Sequence, residues 1–395
     1  MNSKIEKIYQ SLLLVSVFGG VTETPLFGAF FAYCESEGSE KRKAYARFVR
    51  TVYEGGGNLT ELVYRLVAED ENVYVKSAAR GEKAIPCVET AAKKELAAFA
   101  EFGSLNPTDF ALDLNERREN LPAFESFIKD MVGAYGERVK EICRLGYGIF
   151  SSSRMFRLSD EKKIEPIVSA DKISMNTFIG YEAEREKIVE NTLAFLEGEP
   201  AANALLCGDA GTGKSSTVKA VANEFFDRGL RLIELRKDQL CFLPLVMGRI
   251  SENPLKFIIF IDDLSFSSSD DNFSMLKAAL EGSASARADN AVIYATSNRR
   301  HIVKESFSDR DGDDVHRGDT LQETLSLADR FGLTVLYQKP NKELYLRIAK
   351  EIARRSGLEA DEKQFEIAAE AFALKKGNRS ARCAEQFVES LLRKK

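Results

Sequence analysis

Only two histidines, His301 and His316, occur in 395 residues, and the six cysteines form neither a CxxC pair nor any metal-ligand spacing with them. That pattern excludes a zinc site of the usual spacings and gives no disulfide framework. Cys34, Cys87, Cys143, Cys207, Cys241 and Cys383 are therefore expected as reduced, buried thiols. No apolar stretch approaches the length of a membrane span, so no membrane partner is expected and the cytoplasm is the expected compartment. The short run Leu12 to Phe18 has Glu6 before it and no small-residue cleavage site after it, and reads as a core helix, not a signal-peptide core. Excess positive charge is missing too. The formal net charge is -5, which gives no global pull toward nucleic acid and leaves any such contact local.

What remains is globular material: 44% hydrophobic and 30% charged residues over a length that suggests two or three domains. Residues 1 to about 150 carry apolar residues at helical spacing in Ile5 to Val17, Tyr45 to Tyr53, Leu62 to Val67 and Phe127 to Leu145. Lys41, Arg42, Lys43, Arg47 and Arg50 form a basic helix face, either solvated or turned to an acidic partner. Gly148 and Ser151 to Ser153 break the helical pattern, which puts a domain boundary near residue 160. Beyond it strands and helices alternate, with strands expected at Ala204 to Cys207, Leu230 to Leu235, Phe257 to Ile261, Val292 to Ala295 and Leu333 to Tyr337. The expected fold class is α/β, a parallel sheet with helices on both faces, preceded by an all-α N-terminal domain. After Pro340 three helical patterns, marked by Leu344, Ile348 and Ile352, by Phe365, Ala369 and Phe372, and by Ala384, Phe387 and Leu391, read as a lid. The expected domains are thus 1–160, 161–339 and 340–395.

The segment Gly208-Asp209-Ala210-Gly211-Thr212-Gly213-Lys214-Ser215, followed by Ser216, fits the phosphate-loop pattern G-x-x-x-x-G-K-[ST] at every required position. Glycines let the backbone cradle a phosphate chain, Lys214 adds a point charge, and the Ser215 hydroxyl suits Mg²⁺. A second signal is Phe257 to Ile261, wholly apolar, ending in Asp262 and Asp263. This has the form of a Walker B strand: Asp262 is placed to hold a nucleotide-bound Mg²⁺, and Asp263 to orient or deprotonate an attacking water. Thr296, Ser297 and Asn298 end the next strand and are expected to project together at the same sheet edge, with Asn298 toward the water or the γ-phosphate. Arg330 precedes the last strand, far enough from the loop to reach a neighbouring subunit, or else to pair with Asp329.

Together the strand order, the loop, the Asp-Asp strand end, Asn298, Arg330 and the three-helix lid resemble the AAA+ ATPase module over about residues 172 to 395. Finer phrases, Phe178 to Tyr181, Asp262 to Phe266, Ala295 to His301 and Leu325 to Leu333, are similar to an AAA+ family known only as a domain of unknown function, DUF815. The helical first half also looks like the longer members of that family. The resemblance implies Walker A roles for Lys214 and Ser215, Walker B roles for Asp262 and Asp263, sensor 1 for Asn298 and an arginine finger for Arg330. It leaves sensor 2 between Arg379 and Arg382, with Arg382 in the first turn of the last lid helix the better fit, and it puts Phe178, Ile179, Gly180 and Tyr181 around the adenine. One position departs from the family pattern: most AAA+ ATPases have Glu where this chain has Asp263, which implies slow hydrolysis.

Two functions follow as expectations. One is an ATPase, with ATP and Mg²⁺ as cofactors, whose oligomer remodels or loads a protein partner held by residues 1–160. The other is an ATP-dependent switch in which hydrolysis is only a timer, as a shorter Asp263 would suit. Nucleic acid is the less favoured partner: Arg299, Arg300 and His301 are basic, but the loop Glu305 to Thr320 is mainly acidic, with Asp309, Asp311, Asp313 and Asp314.

Overall fold

A computed structural model describes residues 2–168, 173–264, 276, 280, 288–298, 330–358 and 361–393. Arg299 to His301, the acidic loop Glu305 to Thr320, His316, and the phrases Ser265-Phe266 and Leu325 to Asp329 lie outside the described residues. The chain divides into two units, Met1–Ser152 with Glu252–Pro254, and Ser153–Ser251 with Leu255–Lys395. The main division therefore falls between Ser152 and Ser153, a few residues before the expected 160.

The first unit is helical, as its 3.6-residue periodicity expects, and its core is strongly aromatic. Phe18, Phe27, Phe30, Phe48, Phe99 and Phe102 are all fully buried, and Phe99 meets both Phe18 and Phe27 edge-on at centroid distances of 5.9 and 5.6 Å, the arrangement that ring quadrupoles favour. Its longest helix, Pro86–Gly103, was not read from the sequence, although Pro86 at the first turn and Ala92, Leu96 and Phe99 facing inward are the usual signs. The expected core helix over Leu12 to Phe18 is not formed. The first helix stops at Leu12, and the buried Glu95 carboxylate accepts the N–H groups of Ser16, Val17 and Phe18 at 2.9 to 3.1 Å. Those amides are thus satisfied without a helix.

Three members of the basic helix face are neutralised within the unit: Lys41 pairs with Asp113 at 2.8 Å, Arg42 with Glu116, and Lys43 with Glu40 at 2.7 Å. All six cysteines are free, but only Cys34, Cys207 and Cys383 are buried; Cys87, Cys143 and Cys241 are exposed, because they fall on outward turns of short or terminal helical segments. Among the described residues no helix is long and apolar enough to cross a membrane.

The second unit is built on seven strands: β1 (Met155–Leu158), β2 (Ile164–Pro166), β3 (Ala204–Gly208), β4 (Leu230–Leu235), β5 (Lys256–Ile261), β6 (Ala291–Ser297) and β7 (Leu333–Tyr337). Their order is β2-β1-β4-β5-β6-β3-β7. Every pairing is parallel except the β1–β2 hairpin. Phe257 to Ile261 of β5 are fully buried, so both faces of the sheet are covered, as an apolar run without alternation requires. The five expected strands all lie in the parallel part of the sheet, which β1 extends beside β4; the β1–β2 hairpin was not expected.

Register matters most for the site. Ile261 pairs with Ala295, so Asp262 comes level with Thr296. Cys207 pairs with Ser297, which brings Asn298 level with Gly208.

Three further helices close the chain, Lys342–Arg355, Glu362–Lys376 and Ala381–Leu392, each started by a side-chain cap, from Asn341, Asp361 and Ser380 respectively. They bury a core of their own around Tyr345, Ile348, Phe365, Ala369 and Phe387, with Leu344, Ile352, Phe372 and Leu391 packed against it.

Candidate functional site

In an open parallel sheet, ligands gather at the carboxyl ends of the strands. Here the ends of β3, β5 and β6 open into a cavity of about 440 Å³, which the lid helices border through Ile348, Ile352, Ala381, Arg382 and Glu385. That volume lies in the range typical of small-ligand sites.

The floor is the glycine-rich loop. Gly208 has φ +137°, and a Cβ there would strike the Tyr337 carbonyl of the neighbouring strand; Gly213 has φ +92° where the chain enters the helix Lys214–Glu224. Only glycine takes both positions without strain. Ala210 to Ser216 line the cavity, with the helix N-terminus behind them, so backbone N–H groups and the positive helix end face the space. Lys214 is buried, and its ammonium donates to Gly208 O at 3.0 Å, Asp209 O at 2.7 Å and Asn298 Oδ1 at 2.9 Å. Burial pushes its pKa below the ordinary lysine value, against the pull of Asp209, Asp262 and Asp263.

The rear wall is made by the acids. Asp262 Oδ1 accepts from the Ser215 hydroxyl at 2.6 Å and from the Thr296 hydroxyl at 2.6 Å. Asp263 has φ +52°, the left-handed region, which Asp tolerates better than most residues. Its carboxylate accepts from Asn298 Nδ2 at 2.7 Å, so Asn298 joins Lys214 on one side to Asp263 on the other. Among the described residues no cluster of three or more His, Cys, Asp or Glu could hold a metal alone. The Ser215 hydroxyl and Asp262 carboxylate are hard oxygen donors that fit Mg²⁺ when phosphate oxygens complete its shell. Of the three polar residues expected to project together, only Asn298 lines the cavity; Thr296 and Ser297 are both buried and absent from its wall, Thr296 lying on the strand face of Asn298 and Ser297 on the opposite one.

Toward the lid, Thr177, Phe178, Ile179, Tyr181 and Arg185 form the remaining wall. The Arg185 guanidinium lies over the Phe178 ring, 5.2 Å from its centroid. Arg355, from the first lid helix, donates to Thr177 O at 2.7 Å, tying lid to wall. Gly180 is set back, its N–H donating to Glu182 at 3.1 Å. Of the two arginines left open by the sequence, Arg382 lines the cavity, whereas Arg379 is held by Glu370, with Nε at 2.9 Å. Arg330 lies elsewhere. It is half-buried ahead of β7, whose first residue pairs with Ala204 and whose last pairs with Gly208, so it sits at the opposite end of the sheet, roughly 16 Å along the strand from its own loop.

The sequence thus pointed to Thr296 only as a polar strand end and not as a partner of the acids, and it gave no sign of Arg185 or Glu385. The contact of Thr296 with the acids could have been inferred from its place two residues before Asn298, on the same strand face. The other two carry no sequence signal, since their helices meet the loop only in three dimensions.

Residues 151–395 match the family described as "Protein of unknown function (DUF815)". No curated protein matches the chain. Among solved structures, the chain is similar to the Thermotoga maritima RuvB Holliday junction branch migration motor, at 14% identity and a TM-score of 0.34 over 55% of this chain and 72% of that one. It is also similar to the replication initiator DnaA bound to AMPPCP and single-stranded DNA, at 17% identity and a TM-score of 0.40 over 56% of this chain and 66% of that one.

Proposed function

The chain belongs to the DUF815 family, and we propose that its second unit, a mostly parallel α/β core followed by a helical C-terminal part, is an AAA+ ATPase module that binds and hydrolyses ATP with Mg²⁺ at the cavity described above. The observation that carries this is the convergence in one cavity of the phosphate loop, the Ser215–Asp262 pair and the Lys214–Asn298–Asp263 chain of hydrogen bonds.

In this reading the loop amides and the helix N-terminus bind the phosphate chain, and Lys214 adds its charge to the terminal phosphates. Phe178 and Ile179 pack against the base, and Arg382 reaches the phosphates from the lid. Mg²⁺, held by Ser215 and Asp262, would supply neutralisation of the charge that grows between the phosphates. Asp263 orients the attacking water and takes its proton, and Asn298 fixes the Asp263 carboxylate for that task. Arg330, too far from its own cavity, serves the site of a neighbouring subunit, so the working form is an oligomer. Its work is to remodel or load a macromolecular partner engaged by residues 1–160. The internal pairing of Lys41, Arg42 and Lys43 favours a protein partner over nucleic acid.

A second reading, a slow switch with hydrolysis as timer, is favoured by Asp263 itself. Its side chain is one methylene shorter than the usual Glu, and its backbone is held in the left-handed region. A water misplaced by about 1 Å costs roughly a hundredfold in rate.

Asp263→Asn tests the assignment, because Asn also tolerates φ +52°. The variant is expected to bind Mg-ATP as the wild type does and to release phosphate about a hundredfold more slowly. With ATP it should also run in solution at a mass of more than one subunit, and what co-purifies with it identifies the partner. Wild-type turnover in this variant would remove Asp263 from the proton step.

A further inference from the structure

Thr296 takes no part in phosphate contact or proton transfer as described, yet both acids are held through it. It is 1% exposed at the end of β6. Its hydroxyl donates to Asp262 Oδ1 at 2.6 Å and accepts from the Asp263 N–H at 2.9 Å, and its carbonyl accepts from the Leu264 N–H at 2.6 Å. Three successive residues of the turn after β5 are therefore bonded to a single residue of the neighbouring strand.

The turn has need of such a support, because Asp263 at φ +52° leaves the extended path, and its amide would otherwise rely on the longer bond to Asp262 Oδ1 at 3.1 Å. A threonine hydroxyl has one proton and two lone pairs. Here the proton goes to Asp262 and a lone pair receives Asp263, so one group sets the carboxylate of the first acid and the backbone of the second. Asp262 Oδ1 is then occupied by two hydroxyls, those of Ser215 and Thr296, and Oδ2 accepts no hydrogen bond among the described residues.

We propose that Thr296 is a positioning residue: its hydroxyl orients the Asp262 carboxylate toward the metal and fixes the left-handed turn that delivers Asp263 to Asn298. This rests on the Mg-ATP reading of the cavity. Partners that orient metal ligands from behind commonly matter by about tenfold to a hundredfold in metal affinity or activity, and Thr296 acts on a metal ligand and a proton acceptor at once.

The test compares Thr296→Val, which keeps the shape and removes the hydroxyl, with Thr296→Ser, which keeps the hydroxyl, in the full chain. Thermal midpoints verify folding, and Thr296→Ala replaces the valine variant if that one does not fold. One readout is the Mg²⁺ concentration needed for half-maximal binding of a methylanthraniloyl-labelled ATP; the other is kcat and KM for phosphate release. Thr296→Val is expected to raise the Mg²⁺ requirement about tenfold and to lower kcat by about tenfold to a hundredfold, with KM changed less than about threefold. Thr296→Ser should restore both. Unchanged Mg²⁺ dependence and kcat in Thr296→Val would overturn the proposal, as would a serine variant as impaired as the valine one. If the wild type binds the labelled nucleotide with Mg²⁺ yet releases no phosphate, the hydrolysis reading fails by itself and the Mg²⁺ dependence still decides the role of Thr296.

Discussion

Lys214→Met is expected to leave the chain folded, to weaken ATP binding by roughly tenfold to a hundredfold and to slow phosphate release by about a thousandfold. Methionine matches the length of the lysine stem and suits the buried setting. What it removes is a cation whose three N–H groups are all engaged, with Gly208 O, Asp209 O and Asn298 Oδ1. The loss in hydrolysis should exceed the loss in binding, since charge on the transferred phosphoryl is met most strongly in the transition state. Asn298 also loses the contact that joins it to Lys214, which loosens its hold on Asp263. The same lysine gives a pH dependence with a definite sign. Burial holds its pKa below the ordinary 10.5, and the charged form is the one that attracts phosphate. Affinity should therefore fall as pH rises, and should begin to fall at lower pH than an exposed lysine would give. Titration with labelled ATP at several pH values reads both effects. Wild-type affinity in Lys214→Met would place the nucleotide elsewhere.

Arg330→Ala is expected to cost about a thousandfold or more in turnover while ATP binding by each subunit is kept. The reason is distance: Arg330 stands at the far end of β7 from its own loop, and no part of it lines the cavity. An arginine so placed can reach a developing phosphoryl charge only across a subunit boundary. Mixing makes the prediction specific. An Arg330→Ala subunit has an intact cavity but no arginine to lend, whereas an Asp263→Asn subunit has a blocked cavity and an intact Arg330. A mixture of the two should recover activity that neither shows alone, with a maximum near equal proportions. If Arg330 served its own subunit, or only braced the fold, the mixture would stay as inactive as its parts.

The parallel sheet could be read from the sequence because its strands are buried on both faces and therefore appear as unbroken apolar runs, as in Phe257 to Ile261. The β1–β2 hairpin could not, since Met155–Leu158 is short and interrupted by the exposed Arg157, so its pattern does not differ from that of a linker. Loop and acids were legible for a related reason: phosphate chemistry constrains residue type at fixed spacing. Thr296 was legible only as a polar strand end; its tie to the acids was not, because that arises from a register that sets it beside Asp262 and from the left-handed backbone of Asp263, neither of which is written in local composition. Long-range pairing hid other features in the same way. The basic helix face looked free until Asp113 and Glu116, distant in sequence, were brought against Lys41 and Arg42. Glu95 likewise turned an apparent helix at Leu12 to Phe18 into capped, non-helical chain.

The central claim is that one cavity both binds Mg-ATP and cleaves it. Phosphate release by the purified full chain, measured at nucleotide saturation established by direct binding, with Mg²⁺ and then with a chelator, tests that claim most directly. The account predicts release that requires Mg²⁺, rises per subunit with protein concentration, and is lost in Asp263→Asn at equal occupancy. A fully occupied cavity that releases no phosphate, or release indifferent to Mg²⁺ and to Asp263, would contradict it.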